Sequence, residues 1–160
     1  GFFIEMPRVY RDHALVARLS EVLESDALKD VEIFFRNSGK TERSSAFLLS
    51  LLSRIWQHEF CGPFRESSER RLILSDVSFE TFDKIIRLAC SSETHGVPVA
   101  DVLEAISLLA FADRYDIPEV QAVLQDAVLA HLSSSNCAEA LIAARASGLS
   151  TLADECRAKL

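Results

Sequence analysis

The stretch "LILSDVSFETFDKIIRLAC" (residues 72–90) decides the fold, because it joins a strand to an amphipathic helix through one capping residue. Together with Arg71, the run up to Val77 predicts a short strand. Ser78 is placed to cap the helix over 78–90, and Glu80 puts a carboxylate in its first turn.

The residues that precede this unit predict a short strand and then an amphipathic helix. "FFIEM" (2–6) is strand-like, but an isolated strand needs a partner with which to pair. "HALVARLSEVLES" (13–25) carries apolar residues at helical spacing, which predicts a single apolar stripe. The stripe consists of Leu15, Val16, Leu19, Val22 and Leu23.

A second strand and a buried helix follow. "DVEIFF" (30–35) is rich in β-branched and aromatic residues and is broken by "RNSGK", so a strand and a turn are predicted. "SAFLLSLLSRIWQHEF" (45–60) is apolar around most of its circumference, which predicts one helix that is buried on more than one side. "CGP" (61–63) is expected to end it.

The second half of the chain is predicted to be helical. A D-x-x-E capping pattern opens the helix over 101–115, and Pro118 opens the next one, over 118–132. "SSSN" (133–136) breaks the chain before two short helices around Gly148. A weak repeat at an offset of 32 relates the two helix pairs, which we interpret as an appended helical pair rather than a repeat array. It matches Ile117, Val120, Leu124 and Val128 with Leu149, Leu152, Cys156 and Leu160.

Composition narrows the class of protein. The 160 residues are about one domain, 49% of them are hydrophobic, and the formal net charge is −7. A negative chain lacks the basic face that phosphate neutralisation needs, so nucleic-acid binding is not expected. No apolar run is long enough to span a membrane and the N-terminus lacks a signal-peptide pattern, so we expect a cytoplasmic or nuclear location. Because the chain begins at Gly1 and stops at Leu160 within a helical pattern, we expect it to belong to a longer protein.

Residues that would carry enzyme or metal chemistry are scattered. The histidines form no H-E-x-x-H motif, and the sequence has no G-x-S-x-G elbow and no Gly-rich phosphate loop. The cysteines form no C-x-x-C pair, so we expect reduced thiols rather than a zinc site or a disulfide framework. We therefore predict no enzyme activity, no cofactor and no metal. The cysteines are Cys61, Cys90, Cys137 and Cys156.

The order and spacing of these elements resemble the BTB/POZ domain family over nearly the whole chain. "LILSDVSFETFDKIIRLAC" is similar to the family's v-L-x-D-v-s segment and the helix that follows it, and "VLEAISLLAFADRYDIPEVQ" (102–121) to its l-L-x-x-A-d-x-Y segment. "KDVEIFF" (29–35) resembles the strand after the first helix. The resemblance implies an α+β fold, mainly helical with a small mixed sheet. It further implies a BTB domain over 1–132 and the start of a BACK-like helical extension over 136–160.

Two places depart from the family pattern. Where members usually have a His followed by a basic residue, this chain has Ser45 and Ala46. Transcription-factor members pair that basic residue with an Asp in a charged pocket linked to corepressor binding. Asp30 is present here without that partner, which argues against a corepressor role. The usual Tyr-Thr-Gly after the middle helix is "CSS" (90–92).

The resemblance implies a homodimer whose first helix packs across the two-fold axis. The expected interface consists of Phe3, Leu15, Leu19, Val22 and Leu23. The same stripe could instead cover the chain's own core. The strand at 2–6 could pair with the partner subunit, as in some members, or stay unpaired as a chain terminus.

The resemblance also implies a partner for the polar loop at 64–71. Members that act as cullin-3 ubiquitin ligase adaptors carry a hydrophobic–x–Glu motif there, and this chain has Phe64-Arg65-Glu66. An aromatic anchor and a charged rim residue suit such a contact, to which we add Tyr115. Alternatively, Phe64 folds back onto Trp56 or Phe60. The predicted function is a cullin-3 adaptor that binds substrate through a domain outside this sequence; the alternative is a self-association domain of a transcriptional regulator or scaffold.

Overall fold

The computed structural model describes residues 1–61, 70–90 and 96–160, which form two small sheets surrounded by helices. The strands are β1 (Phe2–Ile4), β2 (Val31–Phe35), β3 (Lys40–Ser44), β4 (Arg71–Leu74) and β5 (Val97–Val99). The helices of the first half are α1 (Arg8–Arg11), α2 (Ala14–Glu24), α3 (Ala46–Leu52), α4 (Arg54–Cys61) and α5 (Phe79–Cys90), with a 3₁₀ turn at Asp26–Leu28. Those of the second half are α6 (Val102–Arg114), α7 (Pro118–His131), α8 (Cys137–Ala146) and α9 (Ser150–Ala158).

The larger sheet is mixed, as predicted, with β2 between antiparallel β3 and parallel β4. One face of β2 is fully buried because Val31, Ile33 and Phe35 alternate with more exposed residues. Phe35 meets Phe82 of α5 edge-on at 5.6 Å between ring centroids. The helices therefore cover the inner face of the sheet, and the core lies between the two layers.

The stretch over 72–90 forms a strand and then a helix, as predicted, although the strand ends at Leu74 and not at Val77. β4 runs parallel to β2, and the hydroxyl of Ser78 accepts a hydrogen bond from the Thr81 amide at the start of α5. The buried face of α5 contributes much of the core. It consists of Phe82, Ile85, Ile86, Leu88, Ala89 and Cys90.

The prediction of one helix over 45–60 is wrong, because the chain breaks at Ser53 into α3 and α4. Ser53 adopts an extended conformation, and its hydroxyl accepts a hydrogen bond from the Trp56 amide at 3.2 Å, which caps α4. The same hydroxyl donates to the carbonyl oxygen of Tyr115. Ser53 thus starts α4 and ties it to the end of α6.

Two strands were not predicted from the sequence. β3 is a polar edge strand without an alternating pattern, and β5 is a three-residue strand with Pro98 at its centre. β5 pairs with β1 of the same chain, with Phe2 opposite Val99 and Ile4 opposite Val97. The N-terminal strand is shorter than the predicted 2–6, and its exchange with a second subunit remains a prediction.

The two helix pairs of the second half, α6–α7 and α8–α9, are joined by turns of the same geometry, as the offset of 32 suggested. The Ile117 amide donates to the Ala112 carbonyl, and the Leu149 amide donates to the Ala144 carbonyl, both at 2.9 Å. The residues before them, Asp116 and Gly148, both have positive φ. α8–α9 is therefore a second copy of the α6–α7 turn, although Leu160 is exposed whereas its counterpart Val128 is buried.

Candidate interaction surfaces

The predicted dimer residues divide into two groups. Leu15 is 57% exposed and Phe3 is 64% exposed, so both point away from the core of this chain. The other three are partly buried and pack against the core: Leu19, Val22 and Leu23. Leu19, Val22 and Leu23 therefore cover this chain's own core, whereas Leu15 is left exposed and its role in a dimer stays a prediction.

Sequence reasoning missed the apolar residues that α3 adds beside α2, against which it packs. Phe47 is 70% exposed, and Leu51, one helical turn later, is also exposed. The apolar run predicts a helix that is buried on more than one side, and this prediction does not identify the exposed edge. The i, i+4 spacing of Phe47 and Leu51 was the available signal. Leu15, Phe47 and Leu51 are hereafter called the α2–α3 face.

Side-chain hydroxyls fix the position of α2. Tyr10 donates a 2.6 Å hydrogen bond to the Ala89 carbonyl, and Ser20 donates to the Cys90 carbonyl, so α1 and α2 are both tied to the end of α5. Burial, with smaller effects from Cys90 and Glu119, raises the pKa of Tyr10 to about 12. The His13 side chain caps α2 by accepting a hydrogen bond from the Leu15 amide.

The predicted cullin-binding residues can be followed only in part. Phe64 and Glu66 lie outside the described residues. Tyr115 is half-buried at the end of α6, with its ring 5.2 Å from that of Trp56 and 4.8 Å from that of Phe111. Its pKa is raised, chiefly by burial, although the neighbouring Arg114 acts in the opposite direction.

Asp30, the family's pocket residue, has a local role. Its carboxylate accepts a 2.9 Å hydrogen bond from the Ala46 amide at the start of α3, where Ser45 is the N-cap. The same carboxylate lies 3.8 Å from the guanidinium of Arg70, next to β4. The cation that Asp30 contacts thus comes from the β4 side and not from α3.

The cysteines are free: Cys61 is exposed, and Cys90, Cys137 and Cys156 are buried. Within residues 1–61, 70–90 and 96–160, no group of three or more His, Cys, Asp or Glu side chains could hold a metal ion. In the same ranges no helix has the length and apolar character to cross a bilayer.

The fold and the exposed apolar side chains of α2 and α3 define a class of protein, an α+β domain that presents surfaces for contacts with other proteins. The chain belongs to the BTB/POZ domain family, whose profile matches residues 19–132. The BTB/POZ domain is a protein–protein interaction module.

Two relatives agree with this assignment. Kelch-like protein 38 of Mus musculus is 28% identical over 134 residues, which cover 81% of this chain and 22% of that protein. The chain thus spans about a fifth of the length of that relative. The BTB domain of zebrafish PATZ1 has the same fold, with a TM-score of 0.54 and 17% identity over 71% of this chain and 87% of that one.

Proposed function

We propose that this domain is a homodimeric substrate adaptor of a cullin-3 ubiquitin ligase. The observation that carries the proposal is the position of Tyr115 against α4, the helix that ends three residues before Phe64. Phe64-Arg65-Glu66 resembles the hydrophobic–x–Glu motif of cullin-3 adaptors, and the similarity to a Kelch-like protein extends over 81% of the chain. Substrate would be bound by a domain outside this sequence.

The geometry supports two separate binding surfaces, one for each proposed partner. The α2–α3 face would meet the second subunit, while α4, Tyr115 and the segment after Cys61 would meet cullin-3. Trp56 and the Ser53 hydroxyl hold Tyr115 against α4, so the two elements form one rigid support. In the proposed complex an aromatic anchor, Phe64, fills an apolar groove on cullin-3, and Glu66 adds a charge-assisted hydrogen bond at its rim.

A second candidate function is a self-association domain of a transcriptional regulator or scaffold that does not bind cullin-3. The α2–α3 face favours it equally, because exposed Leu15 and Phe47 serve a dimer with or without a cullin partner. The contacts of Asp30 do not favour the corepressor form of this function, since its cation is Arg70.

Calorimetric titration with the purified cullin-3 N-terminal domain separates the two functions. We expect the wild type to bind and Phe64→Ala/Glu66→Ala to bind at least tenfold more weakly, since an aromatic anchor and its rim charge carry much of such an interface. Ser67→Ala/Ser68→Ala in the same segment is the matched control and should bind as the wild type does. Absence of binding by folded wild type would exclude the adaptor function and leave self-association.

A further inference from the structure

The outer face of the larger sheet has a regular arrangement of side chains. The register places Arg43 and Arg71 on either side of Glu32, and Thr41 and Ile73 on either side of Phe34. Since Val31, Ile33 and Phe35 point into the core, these two rows point outwards. Arg36 is exposed and follows β2 directly, two residues after Phe34, at the start of the turn to β3.

An apolar pair lies at the centre of this face. Ile73 is 46% exposed, and Phe34 beside it is half-buried beneath the guanidinium of Arg71, which lies 5.2 Å from the ring centroid. Adjacent strands are about 4.8 Å apart, so Phe34 and Ile73 form one small patch that a single apolar side chain could cover.

The charge of this face is opposite to that of the chain. Among the described residues, the outward rows of the three strands carry Arg43 and Arg71 with one carboxylate, Glu32, and Arg36 follows β2, whereas the whole sequence has a net charge of −7. Asp30, two residues before Glu32, is paired with Arg70. Glu32 lies 3.5 Å from Arg71. Among the described residues Arg36 has no ion pair, and the Arg43 guanidinium donates to the Lys29 carbonyl and not to a carboxylate. Two of the three cations are therefore available to an acidic ligand.

We infer that the outer face of β3–β2–β4 binds an extended acidic segment of another protein, with the pattern acidic–x–apolar–x–acidic. In an extended chain every second side chain lies on the same side, about 6.6 Å apart, which equals the spacing of the rows on β2. A central apolar residue over Phe34 and Ile73 thus places one acidic residue near Arg36 and the other near Arg43 and Arg71. The residues of this surface differ from those of the α2–α3 face and from Tyr115.

A protein segment fits this face better than a nucleic acid does. A polyanion would place phosphates against Glu32 and would be repelled by the net charge of the domain, whereas the apolar centre offers it only a weak contact. An acidic peptide brings only one carboxylate to the row of Glu32, where Arg43 and Arg71 flank that residue, and still covers Ile73 with its apolar side chain. We expect weak, salt-dependent binding, because the contact is small and its charges are exposed to solvent.

Fluorescence anisotropy with synthetic peptides tests the inference. The probe is fluorescein-labelled Asp-Glu-Ser-Leu-Ser-Glu-Asp, and a peptide of the same composition with Leu moved to the first position tests the spacing. We expect the probe to bind and the rearranged peptide to bind at least fivefold more weakly. Raising the salt from about 50 to 300 mM should weaken binding severalfold.

Variants of exposed residues locate the site. Ile73→Asp and Arg36→Glu should each weaken the probe at least tenfold, while Arg145→Glu, a matched charge reversal on α8, should leave it unchanged. Circular dichroism checks that each variant is folded. Equal loss with Arg145→Glu, or no binding of the probe by folded wild type at 2 mM peptide, would overturn the inference. A single-stranded oligonucleotide should bind more weakly than the probe. If it binds more tightly, and if Arg36→Glu abolishes that binding, the ligand of this face is a nucleic acid and the inference is overturned.

Discussion

Two hydroxyl groups from the N-terminal part of the chain donate hydrogen bonds to the last turn of α5. Tyr10 and Ser20 donate to the consecutive carbonyls of Ala89 and Cys90, at the end of the helix where carbonyls lack intrahelical partners. These bonds attach α1 and α2 to the core. The two helices together contain a single buried residue. At the scale of single residues, two side-chain hydrogen bonds thus add to the packing of Leu19, Val22 and Leu23 in holding the predicted dimer helix.

Tyr10→Phe is expected to destabilise the domain and to change its response to alkali. Loss of the hydrogen bond to Ala89 should cost about 1 kcal/mol at pH 7. The folded state raises the pKa of Tyr10 from 10.0 to about 12, so neutral Tyr10 contributes stability below pH 10 that is lost as the pH rises towards about 12. Urea unfolding at pH 7 and pH 11 should therefore show a smaller alkaline loss in Tyr10→Phe than in the wild type.

The thiol of Cys90 is the control for that experiment. Burial raises its pKa from 9.0 to about 12, so its contribution to stability is lost over a similar alkaline range. The Tyr10→Phe comparison should therefore be repeated in a Cys90→Ala background. If Tyr10→Phe leaves the alkaline loss unchanged in both backgrounds, the assignment to Tyr10 is contradicted.

Trp56 carries a buried polar atom that makes no hydrogen bond to any of the described residues. Its indole N–H lies within the aromatic cluster of Phe82, Phe111 and Tyr115 and has no partner among the described residues. Trp56→Phe removes some packing but also removes this unpaired donor, so we expect a loss of no more than about 1.5 kcal/mol. Trp56→Ala, which leaves a cavity, should cost about 3–5 kcal/mol. Chemical denaturation measures both, and similar losses in the two variants would contradict the expectation.

At the scale of elements, the repeated turns predict opposite effects of two substitutions. Asp116 and Gly148 occupy equivalent positions after α6 and α8, with φ of 51° and 72°. This left-handed conformation suits glycine, so Asp116→Gly should stabilise the domain by up to about 1 kcal/mol. Gly148→Ala should destabilise it by about 1 kcal/mol, from backbone strain alone, because an added Cβ would have nothing within 4 Å.

The melting temperatures of the two variants test this equivalence. Gly148→Asn is a useful intermediate, since Asn tolerates the left-handed region better than Ala does. We therefore expect stability to fall in the order Gly, Asn, Ala at this position. If Gly148→Ala is as stable as the wild type, the strain argument fails for this turn.

Elements with a strong local signal were predictable, and those fixed by distant contacts were not. Ser78 and the helix after it have a cap and an apolar periodicity within one stretch of sequence. The break at Ser53 depends on a hydrogen bond to Tyr115, 62 residues away in the sequence. β3 is a strand because it pairs with β2, although its residues are polar, and β5 pairs with β1, which lies far from it in the sequence.

The same limit applies to the interaction surfaces. The stripe of α2 could be predicted, but which of its members point outwards depends on how α2 is tied to α5. Leu19 and Leu15 are both apolar and one turn apart, yet Leu19 packs on the core and Leu15 does not. Phe47 lies in a run that is apolar on most of its circumference, so its i, i+4 spacing with Leu51 could not by itself show that this edge is exposed.

At the scale of the whole molecule, the α2–α3 face determines the expected assembly. Exposed apolar side chains on two adjacent helices are costly in water, and a second copy of the same face would cover them around a two-fold axis. The acidic net charge of −7 opposes close association of two copies, so the apolar contact must outweigh that repulsion. We therefore expect a dimer that becomes somewhat tighter as salt is added.

Leu15→Asp/Phe47→Asp should convert this dimer into a folded monomer. Both side chains are exposed, so their replacement should alter the free energy of unfolding of one subunit by less than about 1 kcal/mol while it places carboxylates in the interface. Ile142→Asp is the matched control, since Ile142 is 70% exposed on α8 and should leave the dimer intact. Leu19→Asp, by contrast, should lower the melting temperature, because Leu19 packs against the core.

Sedimentation equilibrium over a hundredfold range of concentration measures the association. A wild-type monomer throughout that range, or a dimer that survives Leu15→Asp/Phe47→Asp, would show that the α2–α3 face is not the interface.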